Sequence, residues 1–158
     1  MKRAVNITIR SSQGFTLIEV LIALVVLAFG LLGFAMLQAM NVRFVESANY
    51  RTQATNLGYE IMDQVRANKV SVSSYVGTYT ATTSGCAAVY GSGLTGTLTP
   101  TTFKSAWQCR AGAALGDGAT AVAAFDTTSR ILTVSVSWGD SRWTDPSALT
   151  AFQATTRL

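Results

Sequence analysis

The chain has 158 residues, enough for one modest domain and an additional segment but too few for two full hydrophobic cores. It contains no histidine, so the commonest general base and the commonest metal ligand of enzymes are both missing. The net charge of +4 arises mostly from Lys2, Arg3 and Arg10, since the remainder carries nine basic and eight acidic residues. We therefore predict no nucleic-acid binding and no enzymatic activity, and we assign no cofactor and no metal site.

A basic leader of 14 residues opens the chain and ends at Gly14. In an ordinary secretory signal the small residue of the cleavage site follows the apolar region, whereas Gly14 comes before it. Cleavage after Gly14 would remove the leader and leave the apolar segment on the mature protein.

The apolar segment itself predicts a membrane-spanning helix over about residues 16–38. Between Val20 and Leu37, eighteen consecutive residues carry no charge and no strongly polar group. Positive charges lie before this segment and mixed charge lies after it, which predicts a cytoplasmic N-terminus and a periplasmic remainder. Glu19 lies at the start of the segment, and an unpaired acid in lipid costs several kcal/mol. Either Glu19 lies at the membrane edge, or it has a charged partner.

Helical periodicity continues beyond the membrane segment. An apolar stripe recurs at spacings of three or four residues through Tyr50, Ala54, Leu57, Ile61 and Val65. A continuous helix over residues 15–68 would be ~80 Å long, against ~30 Å for the bilayer core. The second half of the helix is thus predicted to lie outside the membrane, with its stripe covered by the rest of the chain.

Residues 69–158 are predicted to form a separate head domain with mixed helix and strand. A Ser-, Thr- and Gly-rich stretch predicts loops with a short extended piece at Ser73–Thr80, and helical spacing returns over Thr101–Leu115. Three consecutive strands follow, at Thr120–Phe125, 130–138 and Leu149–Arg157, and their short links predict an antiparallel meander. The aspartates at positions 117, 126, 140 and 145 fall in predicted turns and are interpreted as structural.

Two cysteines lie in the predicted periplasmic part of the chain. Because that compartment is oxidising, we expect a disulfide between Cys86 and Cys109, which would contribute ~3 kcal/mol. Two unpaired buried thiols are the alternative that the sequence leaves open.

The stretch GFTLIEVLIAL, Gly14 to Leu24, together with the basic leader, resembles the class III signal of type IV pilins and of type II secretion pseudopilins. The resemblance covers about 25 residues. It implies that a prepilin peptidase cleaves between Gly14 and Phe15 and methylates the new amino group of Phe15. It also implies that Glu19 helps to dock the subunit into a growing filament. Electrostatic attraction supports this role, because helices packed side by side with an axial offset can bring Glu19 of one subunit to the positive Phe15 amine of another.

A weaker resemblance extends to Arg51–Asn68 and to the C-terminal TTRL, which are similar to the minor pilin PilV, a pilus modification protein. The secretion counterpart, the minor pseudopilin GspI, is less similar. The resemblance implies an α+β pilin-like fold, a long N-terminal helix packed on a small antiparallel sheet of about three strands. It further implies an inner-membrane precursor that assembles with other minor pilins, the major pilin and the assembly platform, and then reaches the pilus tip.

Two other functions remain open from the sequence. The N-terminal signal is shared by pili and secretion machinery, so a GspI-like pseudopilin is one alternative. A pilus-tip module that binds a surface or a ligand is the other, and its binding surface would consist of the aromatic residues Tyr75, Tyr79, Tyr90 and Trp143. We interpret these aromatics first as core or subunit contacts.

Overall fold

The computed structural model describes residues 14–91, 99–139 and 149–158. The helices are α1 (Leu17–Ala67), α2 (Val72–Tyr75), α3 (Cys86–Gly91) and α4 (Pro100–Leu115), with a 3₁₀ turn at Lys69–Ser71. The strands are β1 (Gly77–Thr80), β2 (Thr120–Asp126), β3 (Ile131–Gly139) and β4 (Leu149–Arg157). The chain divides into two compact units, which meet in sequence between Arg43 and Phe44, and each is described by itself.

The first unit contains the apolar part of α1. Every described residue from Gly14 to Arg43 is exposed. The apolar window of α1 has a mean hydropathy of 2.9, and α1 is the one helix in the described part of the chain that is long and apolar enough to cross a membrane. A continuous apolar surface of this size is unfavourable in water. The segment therefore fits membrane anchoring.

The second unit contains a four-stranded antiparallel sheet in the order β1-β2-β3-β4. The predicted meander corresponds to β2, β3 and β4, and the α+β pilin-like arrangement is confirmed. The sheet is larger than expected by one strand, because Gly77–Thr80 pairs with β2 through Thr78 opposite Val122. β1 lies within the extended piece predicted at Ser73–Thr80, and its Tyr79 side chain is buried. The prediction is wrong for the first residues of that piece, which belong to α2.

The predicted stripe of α1 covers the sheet. Ala54, Ile61 and Val65 are completely buried, Leu57 nearly so, and Tyr50 is half-buried. They share one core with the inward side of β3, whose buried residues are Leu132, Val134, Val136 and Trp138. The alternating residues of β3 and the helically spaced residues of α1 thus pack against each other, as the sequence predicts.

A close approach brings α1 against the sheet at Gly58. A Cβ atom at this position would lie 2.9 Å from the Phe152 ring and 3.5 Å from Val136 Cγ2. Gly58 therefore allows β4 and β3 to pack against the helix backbone, a requirement that periodicity alone does not reveal.

Helix α4 begins one residue before its predicted start, at Pro100. The Thr99 side chain caps it by accepting a hydrogen bond from the Thr102 N–H, and proline suits the first helical position. Trp107 joins α4 to α1, because its indole N–H donates to the Leu57 carbonyl over 3.0 Å inside the core. α3, which the sequence did not predict, lies beside α4.

Candidate processing and assembly segment

The Gly14–Phe15 peptide bond lies immediately before α1 and outside it. Gly14 is exposed, and no heavy atom comes within 4 Å of a Cβ placed there. The Phe15 side chain is 83% exposed. Both residues of this bond are thus exposed among the described residues, as processing at Gly14 and Phe15 would require. The leader residues 1–13 lie outside the described part of the chain.

Thr16 is the N-cap of α1, and Glu19 is its third helical residue. The Thr16 carbonyl accepts from the Val20 N–H over 3.3 Å, and the Thr16 hydroxyl accepts from the Glu19 N–H over 3.3 Å. The spacing T-x-x-E is that of a capping box. Sequence reasoning missed this role of Thr16, although the pattern was readable in the sequence.

Two sources of positive charge can stabilise the Glu19 carboxylate. The first is the positive end of the helix dipole, which favours an acid in the first turn. The second is a cation supplied from outside the helix, since Glu19 is exposed. Phe15, Glu19 and Ala23 follow one another at four-residue spacing, and Val20, Leu24 and Leu27 lie next to them. Small Ala23 beside Glu19 leaves room for another helix to approach this face.

The disulfide Cys86–Cys109 is present and joins α3 to α4. The segment before it is held to α4 and to the turn that follows α4. The Asp117 carboxylate accepts from both the N–H and the hydroxyl of Thr83, at 2.6 and 2.8 Å. Gly112 lies against this segment, because a Cβ there would come within 2.2 Å of the Thr82 carbonyl oxygen. The interpretation of Asp117 as structural fits these contacts.

Asp126 also has a structural role, at the β2–β3 turn. Its carboxylate accepts from the Ser129 hydroxyl over 2.6 Å and from the Thr128 N–H over 2.8 Å. These hydrogen bonds, the Ser129 one foremost, hold the pKa of Asp126 below its usual value. The predicted turn residues Asp140 and Asp145 lie outside the described residues.

The first interpretation of the four aromatic residues, as core or subunit contacts, is confirmed for Tyr75 and Tyr79, and the alternative of a tip surface is wrong for these two. Tyr75 is 1% exposed and Tyr79 is completely buried. The Tyr79 hydroxyl donates to the Tyr75 carbonyl over 2.6 Å, and its ring lies edge-on to Trp107 at 5.4 Å. Burial, followed by the proximity of Tyr75, raises the pKa of Tyr79 to about 12. Both tyrosines belong to the core, while the Trp143 position and the Tyr90 side chain lie outside the described part.

Across residues 14–91, 99–139 and 149–158, no group of three or more His, Cys, Asp or Glu side chains is placed to hold a metal ion. Glu60 and Arg110 form an ion pair between α1 and α4. These two residues are 50 positions apart in the chain, so no local pattern predicts their contact.

A model of the prokaryotic N-terminal methylation motif matches residues 9–35. No curated protein and no solved structure matches the chain significantly. The matched region contains Gly14, Phe15 and Glu19, and it ends within the apolar part of α1. The motif implies processing by a prepilin peptidase and assembly with other pilins, and it indicates a structural subunit. It supports a type IV pilin-like or pseudopilin-like protein.

Proposed function

We propose that the chain is a minor type IV pilin of the PilV kind, a structural subunit that helps to initiate or cap pilus assembly. The observation that carries the proposal is the methylation motif at residues 9–35, placed at the start of a long helix whose second half covers a small sheet. The similarity of Arg51–Asn68 and TTRL to PilV supports the choice of a minor pilin.

Processing is the first step of the proposed function. The precursor lies in the inner membrane with residues 1–14 as a cytoplasmic leader, 15–68 as the long helix and 69–158 as the periplasmic head. Prepilin peptidase cleaves after Gly14 and methylates the amino group of Phe15. The exposure of Phe15 and the position of Gly14 outside α1 support this step.

Docking through Glu19 is the second step. Cleavage creates a positive amine at Phe15, four residues before the acid and about 6 Å away along a helix axis. When two such helices pack with an axial offset, Glu19 of one subunit meets the Phe15 amine of the next. Removing water strengthens this attraction, and a wrong register leaves both charges unpaired.

Selection of neighbours is the proposed role of the head domain. It would contact other minor pilins and the major pilin at the assembly platform of the inner membrane, and then lie at the pilus tip. No catalytic step is assigned to it.

A minor pseudopilin of type II secretion is the second candidate, because the methylation motif is common to both systems. Deleting the gene distinguishes them. Loss of surface pili with normal export of hydrolases supports the pilin, and retention of pili with loss of exported hydrolases supports the pseudopilin. A tip-binding module is disfavoured by the burial of Tyr75 and Tyr79.

Variants of Glu19 and Thr16 test the docking step. Glu19→Gln removes the charge but keeps a side chain that suits a capping box, whereas Thr16→Ala removes the cap and keeps the charge. We expect both precursors to be cleaved. Glu19→Gln should reduce the filaments recovered by shearing to a small fraction of wild type, and Thr16→Ala should assemble. Normal filaments with Glu19→Gln and loss with Thr16→Ala would assign Glu19 to helix capping alone.

A further inference from the structure

The outer edge of β4 has no partner strand among residues 14–91, 99–139 and 149–158. The Leu158 N–H donates to the Arg130 carbonyl over 2.9 Å, which makes these two residues a hydrogen-bonded pair. The register then continues without interruption to Gly139 opposite Leu149. In an antiparallel ladder, bonded and non-bonded pairs alternate. The backbone groups that point away from β3 are therefore those of Leu149, Ala151, Gln153, Thr155 and Arg157.

Within the described residues, the β4 strand itself contains none of the sequence features or bulges that usually prevent pairing with another chain. β4 is nine residues long and contains neither proline nor lysine. Its register with β3 shows no bulge. Edge strands are normally short, bulged, or protected by lysine or proline. A long, regular and unprotected edge is a site for strand addition.

The apolar layer beneath the sheet continues to this edge. Phe152 of β4 is only half-buried, and its ring lies 5.9 Å from the ring of Tyr59 on α1. Tyr59 is 48% exposed. A strand added beside β4 would place every second side chain on this same side of the sheet, where the two aromatic rings lie.

Charge identifies the kind of strand that fits. Arg157 is exposed and has no ion-pair partner in the described part of the chain, and β4 contains no acid. In a symmetric antiparallel pair of two copies centred on Gln153, Arg157 would lie opposite Leu149, so its charge would stay unpaired. A foreign segment with a carboxylate at that position is the better complement.

We propose that the β4 edge binds an extended segment of another protein as a fifth antiparallel strand. The segment carries apolar residues at alternate positions, over Phe152 and Tyr59, and an acidic residue opposite Arg157. This interaction concerns the head domain alone. It does not rest on the filament role of Glu19 and would hold for a pilin or a pseudopilin.

The test uses the full-length protein in detergent and two nine-residue peptides. Both begin with glutamate, carry valine at the even positions and threonine at the other odd positions, and are blocked at their ends. In the first peptide the backbone nitrogens of the valines are methylated. These nitrogens would point away from β4, so every N–H that faces β4 is kept. In the second peptide the backbone nitrogens of the threonines are methylated. These nitrogens would point toward β4, so the N–H groups needed for pairing are lost. We expect the first to bind and the second to bind about tenfold more weakly or not at all.

Two proline variants provide the matched control on the protein. Gln153→Pro removes an N–H from the open edge, while Ala154→Pro removes one from the ladder with β3. We expect Gln153→Pro to keep the fold and lose the first peptide, and Ala154→Pro to unfold the head. Replacing the glutamate of the peptide with lysine should weaken binding about fivefold.

Equal binding of the two peptides, or failure of the valine-methylated peptide to bind wild type, would overturn the proposal. A concentration-dependent dimer of the peptide-free chain that Gln153→Pro abolishes would identify a second copy as the occupant, and would overturn the foreign segment. If Gln153→Pro unfolds the head, the difference in binding of the two peptides to the wild-type protein still tests the proposal.

Discussion

The two parts of α1 use hydrophobic residues in different ways. Up to Arg43, apolar side chains lie on all sides of the helix and all are exposed. From Phe44 onward the buried residues form one stripe, and polar residues such as Glu60 and Arg66 lie on the other sides. A helix that is apolar all round suits lipid, and an amphipathic helix suits a protein core with water beyond it. One continuous helix thus contains a part suited to lipid and a part suited to the protein core. Changes in one part should leave the structure of the other intact.

Gly112→Ala is expected to have the largest effect on the head. The new methyl group would overlap the Thr82 carbonyl, which is backbone and cannot rotate away. The free energy of unfolding should fall by about 3 kcal/mol or more. Thermal unfolding of the full-length protein in detergent, followed by near-ultraviolet circular dichroism, measures this effect.

Ala113→Ser, at the exposed neighbouring position, is the control and should unfold like wild type. Gly112→Ala should still insert into the membrane and be cleaved. Loss of membrane insertion in this variant would show that the two parts are not independent.

Removal of the disulfide is expected to destabilise the head by about 3 kcal/mol, since it closes a segment with a sequence separation of 23. Replacing both Cys86 and Cys109 by alanine should lower the unfolding midpoint in oxidising buffer. Wild type in reducing buffer should show a similar decrease, whereas the double variant should not respond to the reductant. An unchanged midpoint in both experiments would contradict a stabilising bond.

Alkaline pH is expected to destabilise the head through Tyr79. Its pKa is about 12 in the folded state, against 10 for an unperturbed tyrosine, so the folded state retains the proton longer. The contribution of neutral Tyr79 to the free energy of unfolding is therefore fully present below pH 10, and it decreases by about 2 kcal/mol as the pH rises to 12. Denaturant unfolding at several pH values measures the slope. Tyr79→Phe should show a shallower decrease over this range, and an equal slope would assign it to other groups.

The Glu60–Arg110 ion pair is expected to contribute least. Both side chains are about one third exposed, at 36% and 34%, so solvent screening limits the pair to less than about 1 kcal/mol. A double-mutant cycle of Glu60→Gln and Arg110→Gln measures the coupling energy, which added salt should decrease. A coupling energy of several kcal/mol would mean that this contact organises the helix pair.

Periodicity predicted much of this fold, because the pattern of buried residues follows directly from helix and strand geometry. Ile61 and Val65 on α1 and Val134 and Val136 on β3 occupy the core for this reason. β1 lies within the short extended piece predicted at Ser73–Thr80, but its place in the sheet was not predicted, because its pairing with β2 depends on residues distant in sequence and its composition is that of a loop. The close approaches at Gly58 and Gly112 depend on tertiary contacts and have no local signal.

The candidate site was readable almost entirely from sequence. Gly14, Phe15 and Glu19 belong to a short contiguous motif, so their relation does not depend on how the chain folds. The capping role of Thr16 is the local detail that the structure adds. Tyr75 and Tyr79 were interpreted first as core or subunit contacts, and they do lie in the core. The alternative of an exposed surface stayed open because an aromatic residue in a polar stretch does not itself show whether it points inward.

The mass of the mature N-terminus tests the proposed processing most directly. The full-length gene is expressed in a host with prepilin peptidase, and the protein is purified from membranes and digested. We expect an N-terminal peptide that begins with Phe15 and carries one methyl group on its amine. A matched strain that lacks the peptidase should retain the leader. An intact leader in both strains, or an N-terminus within or beyond the apolar segment, would contradict the proposed processing.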